Sequence, residues 1–329
     1  MPNTALLQIE KLKIGFPAKD GGEVTIVDGV SLAVNHGEIV GLVGESGSGK
    51  SMLALASMGL VPRPGRITAG SIKLLGEETV GLPDRRMQDL RGGTIGMVFQ
   101  DPMTGLNPVR TIGSLLSESV RRHQRVGRDR ASEIAEAALT SVGIPAAHER
   151  LSVYPHQLSG GLRQRAMIAL ALVNDPAVII ADEPTTALDT TIQAQILDLL
   201  RAKLVAAGGI LITHDLGVAA EICDRLAVIY HGRLVETGPT ADLLSAPRHP
   251  YTEGLLRAIP RFDRSRPRLV PIPGQPPAPS MDRGACSFRP RCDYATDACA
   301  KAPALTPDGA SRSVACWAPI GAPVLERRA

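Results

Sequence analysis

Apolar and polar positions follow different rhythms along this chain. In the first forty residues, short apolar-containing runs (Leu6 to Ile9, Glu23 to Val27, Val30 to Val34) flank a glycine-bearing turn at Asp20-Gly21-Gly22, which predicts short strands in a small antiparallel sheet. Ile39-Val40-Gly41-Leu42-Val43 is apolar without interruption, as in a strand covered on both faces, and the run Met52-Leu53-Ala54-Leu55-Ala56 suits a helix. Helical patterning dominates from about Thr111 to Val173 and is clearest over Arg130 to Val142 and Gly160 to Val173. Strand and helix then alternate through Ala177 to Ala181, Thr190 to Ala206, Ile210 to Thr213 and Leu216 to Cys223, which predicts an α/β fold with a parallel sheet flanked by helices. After about Thr240 the composition shifts. Prolines crowd the segment from Arg266 to Pro279, which reads as a linker or an extended wrapping segment, and a C-terminal appendage follows.

The turn between the apolar strand and its helix reads Gly44-Glu45-Ser46-Gly47-Ser48-Gly49-Lys50-Ser51, followed by Met52. Glycines at 44, 47 and 49 let the backbone bend sharply, so that successive amide N–H groups and the helix N-terminus can face a triphosphate. Lys50 is expected to reach the β- and γ-phosphates and Ser51 to bind Mg²⁺. Strand, loop and helix in this order predict nucleotide binding. A second element, Ala177-Val178-Ile179-Ile180-Ala181-Asp182-Glu183, is an apolar strand ending in two carboxylates. At the C-terminal edge of a buried parallel strand, Asp182 is expected to hold Mg²⁺ through water and Glu183 to polarise the attacking water. The alternative is that both carboxylates merely cap the helix that follows.

Composition narrows the setting. With 329 residues and 44% hydrophobic side chains, the chain can form two domains around an ample core. No stretch approaches about eighteen uninterrupted apolar residues, and Met1 to Glu10 lacks the basic and apolar regions of a signal peptide, so a cytoplasmic protein is expected. A formal charge of +3 implies no nucleic-acid partner, and the run Arg121, Arg122, Arg125, Arg128, Arg130 reads as a solvated face.

Taken together, the phosphate loop, Gln100 in Val98-Phe99-Gln100-Asp101, Leu158-Ser159-Gly160-Gly161-Leu162-Arg163-Gln164-Arg165, the Asp182-Glu183 strand end, Ala187-Leu188-Asp189 and Thr213-His214-Asp215 resemble an ATP-binding-cassette (ABC) nucleotide-binding domain over roughly residues 5 to 240. The resemblance implies a RecA-like parallel-sheet core, an antiparallel β subdomain and a helical subdomain at about 101–173, with ATP and Mg²⁺ as ligands. It also implies two cassettes packed head to tail, with Ser159, Gly160 and Gly161 meeting the γ-phosphate held by the partner's phosphate loop. Gln100 resembles the glutamine that senses Mg²⁺ and the attacking water, Asp189 the residue linking the two sites, and His214 the switch histidine at the γ-phosphate. Phe16 lies where the family stacks an aromatic ring on adenine, although a strand-end core residue would look the same.

A finer resemblance, to the ATP-binding subunits of dipeptide/oligopeptide (peptide/nickel) importers, rests on Gln100-Asp101-Pro102-Met103-Thr104-Gly105-Leu106-Asn107-Pro108, on Ala181 to Asp189 with Thr191-Ile192-Gln193-Ala194-Gln195, and on His249-Pro250-Tyr251-Thr252 with Leu255-Leu256. It implies an ATPase domain over 1–240 and an importer-type extension over 241–329. The expected function is ATP binding and hydrolysis that powers uptake of di- or oligopeptides from the cytoplasmic face of the inner membrane. Implied partners are a second, related ABC ATPase subunit, two transmembrane permease subunits and an extracytoplasmic substrate-binding protein. Nickel, glutathione, antimicrobial peptides and oligosaccharides are alternative cargoes, and a soluble ABC ATPase outside transport is the other class.

The extension carries Cys286, Cys292, Cys299 and Cys316, with five, six and sixteen residues between successive thiols. Clustered thiols in a weakly patterned cytosolic segment suggest a metal site, and the pairs two to four residues apart that zinc ribbons favour are absent. The resemblance implies a [4Fe–4S] cluster, with zinc or free thiols as alternatives. Such a site is expected to lie far from the phosphates and to brace the extension or contact the partner cassette. Cys223 reads as a buried core residue.

Overall fold

The computed structural model describes residues 5–18, 21–185, 190–258, 271–278 and 283–321. Among these the strands are, in chain order, β1 (Leu7–Pro17), β2 (Glu23–Val34), β3 (Ile39–Val43), β4 (Arg66–Leu74), β5 (Glu77–Glu78), β6 (Ile95–Val98), β7 (Val178–Asp182), β8 (Gly209–Thr213), β9 (Arg225–Tyr230), β10 (Arg233–Pro239), β11 (Thr306–Pro307) and β12 (Ser313–Val314).

The antiparallel sheet has the order β2-β1-β4-β5. Its buried face presents Leu7, Ile9, Leu12, Ile14, Val27, Val30 and Ile72 to one core cluster. Two short strands were expected between Glu23 and Val34, but one continuous strand forms. Leu12 pairs with Val30 and Lys13 with Asp28, so Gly29, at φ 70°, is the extra residue of a bulge and pairing resumes beyond it.

The second sheet has the order β11-β12-β10-β9-β3-β8-β7-β6. Five consecutive strands, β9-β3-β8-β7-β6, run parallel, and β3, β6, β7 and β8 are buried at every position. Helices cover it, as an uninterrupted apolar strand requires. Helices Ile112–Gln124, Arg128–Ser141 and Gly160–Leu172 bury Leu116, Val120, Ala131, Ala135, Leu139 and Ala166 in the larger core cluster. The first is capped by Thr111, whose hydroxyl accepts the Ser114 N–H at 3.2 Å, and Arg121, Arg122 and His123 occupy its last turn, where cations suit the helix dipole. The expected solvated arginine face is exposed, and Arg122 and Arg130 pair there with Asp89 and Glu133.

Beyond Thr240 the chain folds back on the sheet. β12 pairs antiparallel with β10, joining Glu236 to Val314, and β11 closes the edge behind it. Tyr251 and Phe288 lie in the larger core cluster with Val43 and Val98. The described part of the proline-rich stretch, 271–278, forms neither helix nor strand.

Candidate nucleotide site

Parallel strands point their C-terminal ends to one edge of a sheet, and the loops leaving β3, β6, β7 and β8 therefore gather there. The loop after β3 carries Gly44 to Ser51. A Cβ at Gly44 would stand 2.3 Å from the Ile229 carbonyl oxygen, and Gly49 turns into the helix Lys50–Ser57 at φ 104°, so both positions require glycine. Lys50 is 5% exposed. Its ammonium donates to the carbonyls of Gly44 at 2.8 Å and Glu45 at 2.9 Å. Burial pulls its pKa down, against the opposing pull of Glu183, Asp182 and Glu45. Those carbonyls hold the lysine inside the loop, where an incoming phosphate could compete for it. Ser46, Gly47 and Ser48 complete the loop, with Ser48 buried, and Met52 packs in part against the core of the antiparallel sheet.

β7 ends at Asp182, which is 3% exposed. Burial raises its pKa, while a hydrogen bond from Ser51 lowers it. Its Oδ1 atom is buried without a hydrogen-bond partner. An orphaned carboxylate oxygen beside a hydroxyl suits a hydrated divalent cation, so Ser51 and Asp182 fit the Mg²⁺ expected from the sequence.

Glu183 is the next residue and takes the left-handed conformation, φ 45°, with its N–H donating to the Ile212 carbonyl at 2.9 Å. For a side chain of this size the conformation is strained, and strain of this kind concentrates at functional sites. The turn directs the carboxylate between two neighbours from other strands. Gln100, just after β6, donates from Nε2 to Oε2 at 3.2 Å, and His214, just after β8, lies with Nδ1 3.3 Å from Oε1. Gln100 and His214 are exposed, whereas the Glu183 side chain is only 15% exposed. The following turn is fixed by Gln164, 2% exposed, whose amide donates to the Pro184 carbonyl at 2.5 Å. A buried cation, a metal-ready carboxylate and a second carboxylate oriented by an amide and an imidazole can bind a triphosphate and activate water in line with it.

A family profile described as ABC transporter matches residues 27–186, and one described as the oligopeptide/dipeptide transporter C-terminal region matches residues 235–299. The oligopeptide transport ATP-binding protein OppD of Salmonella typhimurium is 44% identical over 321 residues, 97% of this chain and 95% of that protein. The chain belongs to the ATP-binding proteins of the oligopeptide/dipeptide ABC transporters. OppD of Mycobacterium tuberculosis is 48% identical over 316 residues, 94% of this chain, and the chain spans about half of that longer protein, 51%. Among solved structures, a dimeric post-hydrolysis state of the ATP-binding cassette MJ0796 bound to ADP and Pi superposes with a TM-score of 0.64 at 27% identity, covering 71% of this chain and 98% of that one.

Other residues expected at this cassette's site are more dispersed. Ser159 caps helix Gly160–Leu172 by accepting the Leu162 N–H at 3.4 Å, and Ser159 and Gly160 are exposed, with open space beside Gly160. A Cβ at Gly161 would stand 3.5 Å from the Ile192 side chain. Phe16, near the end of β1, is partly buried with its ring over Gly65. Asp189 lies outside the described residues.

The thiols converge more than their spacing suggests. Cys286, Cys292, Cys299 and Cys316 line one cavity with Phe288, Tyr294 and Trp317. Burial pushes the Cys286 and Cys292 thiols up and that of Cys316 to about 11. Among the described residues no group of three or more His, Cys, Asp or Glu side chains is gathered tightly enough to hold a single ion. Cys223 is 6% exposed, and burial raises its thiol to about 12.

The expectation that the thiol segment lies far from the phosphates is corrected by the structure. Arg291, adjacent in sequence to Cys292, forms an ion pair with Glu45 of the phosphate loop, and the Tyr251 hydroxyl accepts the Glu45 N–H. Sequence reasoning missed both contacts, because a single arginine between cysteines carries no motif. Tyr251 did stand in a motif, His249-Pro250-Tyr251-Thr252, whose partner in space was not legible.

Proposed function

We propose that this chain is the ATP-binding and hydrolysing subunit of an ABC importer that takes up di- or oligopeptides across the cytoplasmic membrane. The observation that carries the reading is the convergence of Lys50, Asp182, Glu183, Gln100 and His214 on one edge of the parallel sheet, with an importer-type extension packed on the same core. Lys50 leaves its loop carbonyls for the β- and γ-phosphates, and the loop amides with the helix N-terminus hold the remaining charge. Ser51, Asp182 and Gln100 would hold Mg²⁺, and the ion would neutralise charge developing on the phosphates. Glu183 orients and polarises the attacking water, and His214 contacts the γ-phosphate. Phe16 stacks on adenine.

Ser159 and Gly160, both exposed, and the half-buried Gly161 open a helix whose N-terminus favours an anion, which supports a head-to-tail dimer in which they complete the partner's site across a junction including Asp189. In this reading the cassette runs through about residue 240 and the extension from 241, and the chain sits at the cytoplasmic face of the inner membrane. It works there with a related second ATPase, two permease subunits and an extracytoplasmic binding protein. Among the described residues no helix is long and apolar enough to cross a membrane, so separate permeases supply the path in this reading.

For the cavity that the four thiols line we keep the [4Fe–4S] cluster implied by the resemblance, with zinc as the alternative. The role we assign to it is structural.

Co-purification of the chain with its membrane partners, followed by ATPase assay with and without a binding protein loaded with short peptides, tests this reading. Peptide-dependent stimulation is expected. Stimulation by nickel, glutathione or sugar but not by peptide would replace the cargo, and a chain that associates with no membrane subunit would overturn the importer role.

A further inference from the structure

The extension beyond Thr240 meets the phosphate loop at Glu45. The Glu45 carboxylate accepts two hydrogen bonds from the Arg291 guanidinium, Nη1 to Oε2 at 2.6 Å and Nη2 to Oε1 at 2.9 Å. The Arg291 side chain is 5% exposed and that of Glu45 25%, so water screens the pair weakly. Arg291 is itself fixed on its other sides. Its Nε donates to the Pro273 carbonyl at 2.7 Å, Nη1 also reaches the Tyr230 hydroxyl at 3.3 Å, and the guanidinium lies 5.9 Å from the ring centres of Tyr230 and Phe288. The Glu45 backbone is held as well: its N–H donates to the Tyr251 hydroxyl at 2.7 Å, and its carbonyl accepts from Lys50 at 2.9 Å and from the Ser48 N–H at 3.2 Å.

Two consequences follow from elementary electrostatics. A free carboxylate in a loop whose amides gather a polyanion repels that anion, and a paired guanidinium cancels the repulsion. A two-point contact between planar groups also fixes the direction in which the loop leaves β3. We propose that Arg291 is a positioning residue for the nucleotide: it neutralises and pins Glu45, so that the loop from Ser46 to Ser51 is formed before the triphosphate arrives. Arg291 acts through Glu45 and does not touch the phosphates. Because Cys292 is the next residue, the same contact joins the thiol cavity to the ATP site. The inference rests on the nucleotide-site reading above. That reading is checked separately by ATP binding to the native chain and its loss in Lys50→Ala.

The test is calorimetric titration of the full-length chain with ATP and Mg²⁺, together with ATPase assay of the assembled complex. Arg291→Met is expected to weaken ATP binding about tenfold and to raise KM for ATP by a similar factor, with kcat at saturating ATP within about twofold of native. The decisive variant is Arg291→Met combined with Glu45→Gln, which removes the unpaired charge and should recover binding to within about threefold of native. A merely structural brace would not give that recovery. Should Arg291→Met fail to fold, Arg291→Gln with and without Glu45→Gln gives the same comparison, since its amide retains a donor. Native affinity in the single variant, or a double variant no tighter than the single one, would overturn the proposal.

Discussion

The hydroxyl of Tyr251 accepts a 2.7 Å hydrogen bond from the backbone N–H of Glu45, a residue 206 positions earlier in the chain. Tyr251 is fully buried against Tyr230 and Phe288, with ring centres 4.6 and 5.4 Å away. Tyr251→Phe keeps the ring packing and leaves a part-buried amide unpaired, which should cost about 1 to 2 kcal/mol. Urea denaturation of the full chain checks this, and an unchanged midpoint would refute it.

Glu183 stands between Gln100 and His214 at the end of β7. Glu183→Gln should retain ATP binding, lower turnover of the assembled complex by about a hundredfold or more, and accumulate closed dimers. Lys50→Ala should weaken binding itself. Full turnover by the glutamine variant would remove Glu183 from the water-polarising role.

A Cβ at Gly160 would meet no atom within 4 Å outside its own helix among the described residues. Gly160→Arg should therefore leave the melting temperature and ATP binding of the isolated chain near native, while abolishing ATP-dependent dimerisation with the second ATPase subunit in a Glu183→Gln background. Size-exclusion chromatography with ATP reads the difference. Dimers at the native level would argue against the head-to-tail arrangement.

Burial holds the His249 imidazole down to about 3, and its Nδ1 accepts the Tyr251 N–H at 3.0 Å. An unfolded chain returns the ring to about 6.5. Between those values the unfolded chain binds the extra proton, so stability is complete above about pH 6.5 and declines as pH falls toward 3, by up to about 1.4 kcal/mol per pH unit. His249→Asn, which can still cap the helix Pro250–Arg257, should flatten this part of the profile. Thermal melts stepped from neutral to about pH 5 measure it, and equal slopes for the two proteins would exclude His249 as the source.

Cys292 lines the four-thiol cavity. In anaerobically purified protein, Cys292→Ser should abolish visible thiolate-to-iron absorbance and iron content and lower the stability of the extension, while ATP binding persists. Colourless native protein containing zinc would replace the cluster with a single ion, and native protein without bound metal would remove the site.

What the sequence determined by itself was the local chemistry. The apolar run Ile39–Val43 became β3 at those limits, Thr190–Ala206 became a helix at those limits, and Gly44 to Ser51 became a phosphate-type loop, because turn geometry and strand burial are written in consecutive residues. The place of Asp182 at the strand-end edge was also legible, from its buried strand, whereas Gln100 and His214 were assigned to the same site by the family resemblance. Pairing across long sequence separations was not legible. The continuous β2 depends on a bulge at Gly29, a matter of register with β1. The contacts of Arg291 and Tyr251 with Glu45 exist because β12 docks on β10 and returns the extension to the sheet. Only the tertiary structure could decide that return: an arginine's partner is set by which surfaces the fold brings together and dries, and neither is encoded in its sequence neighbours.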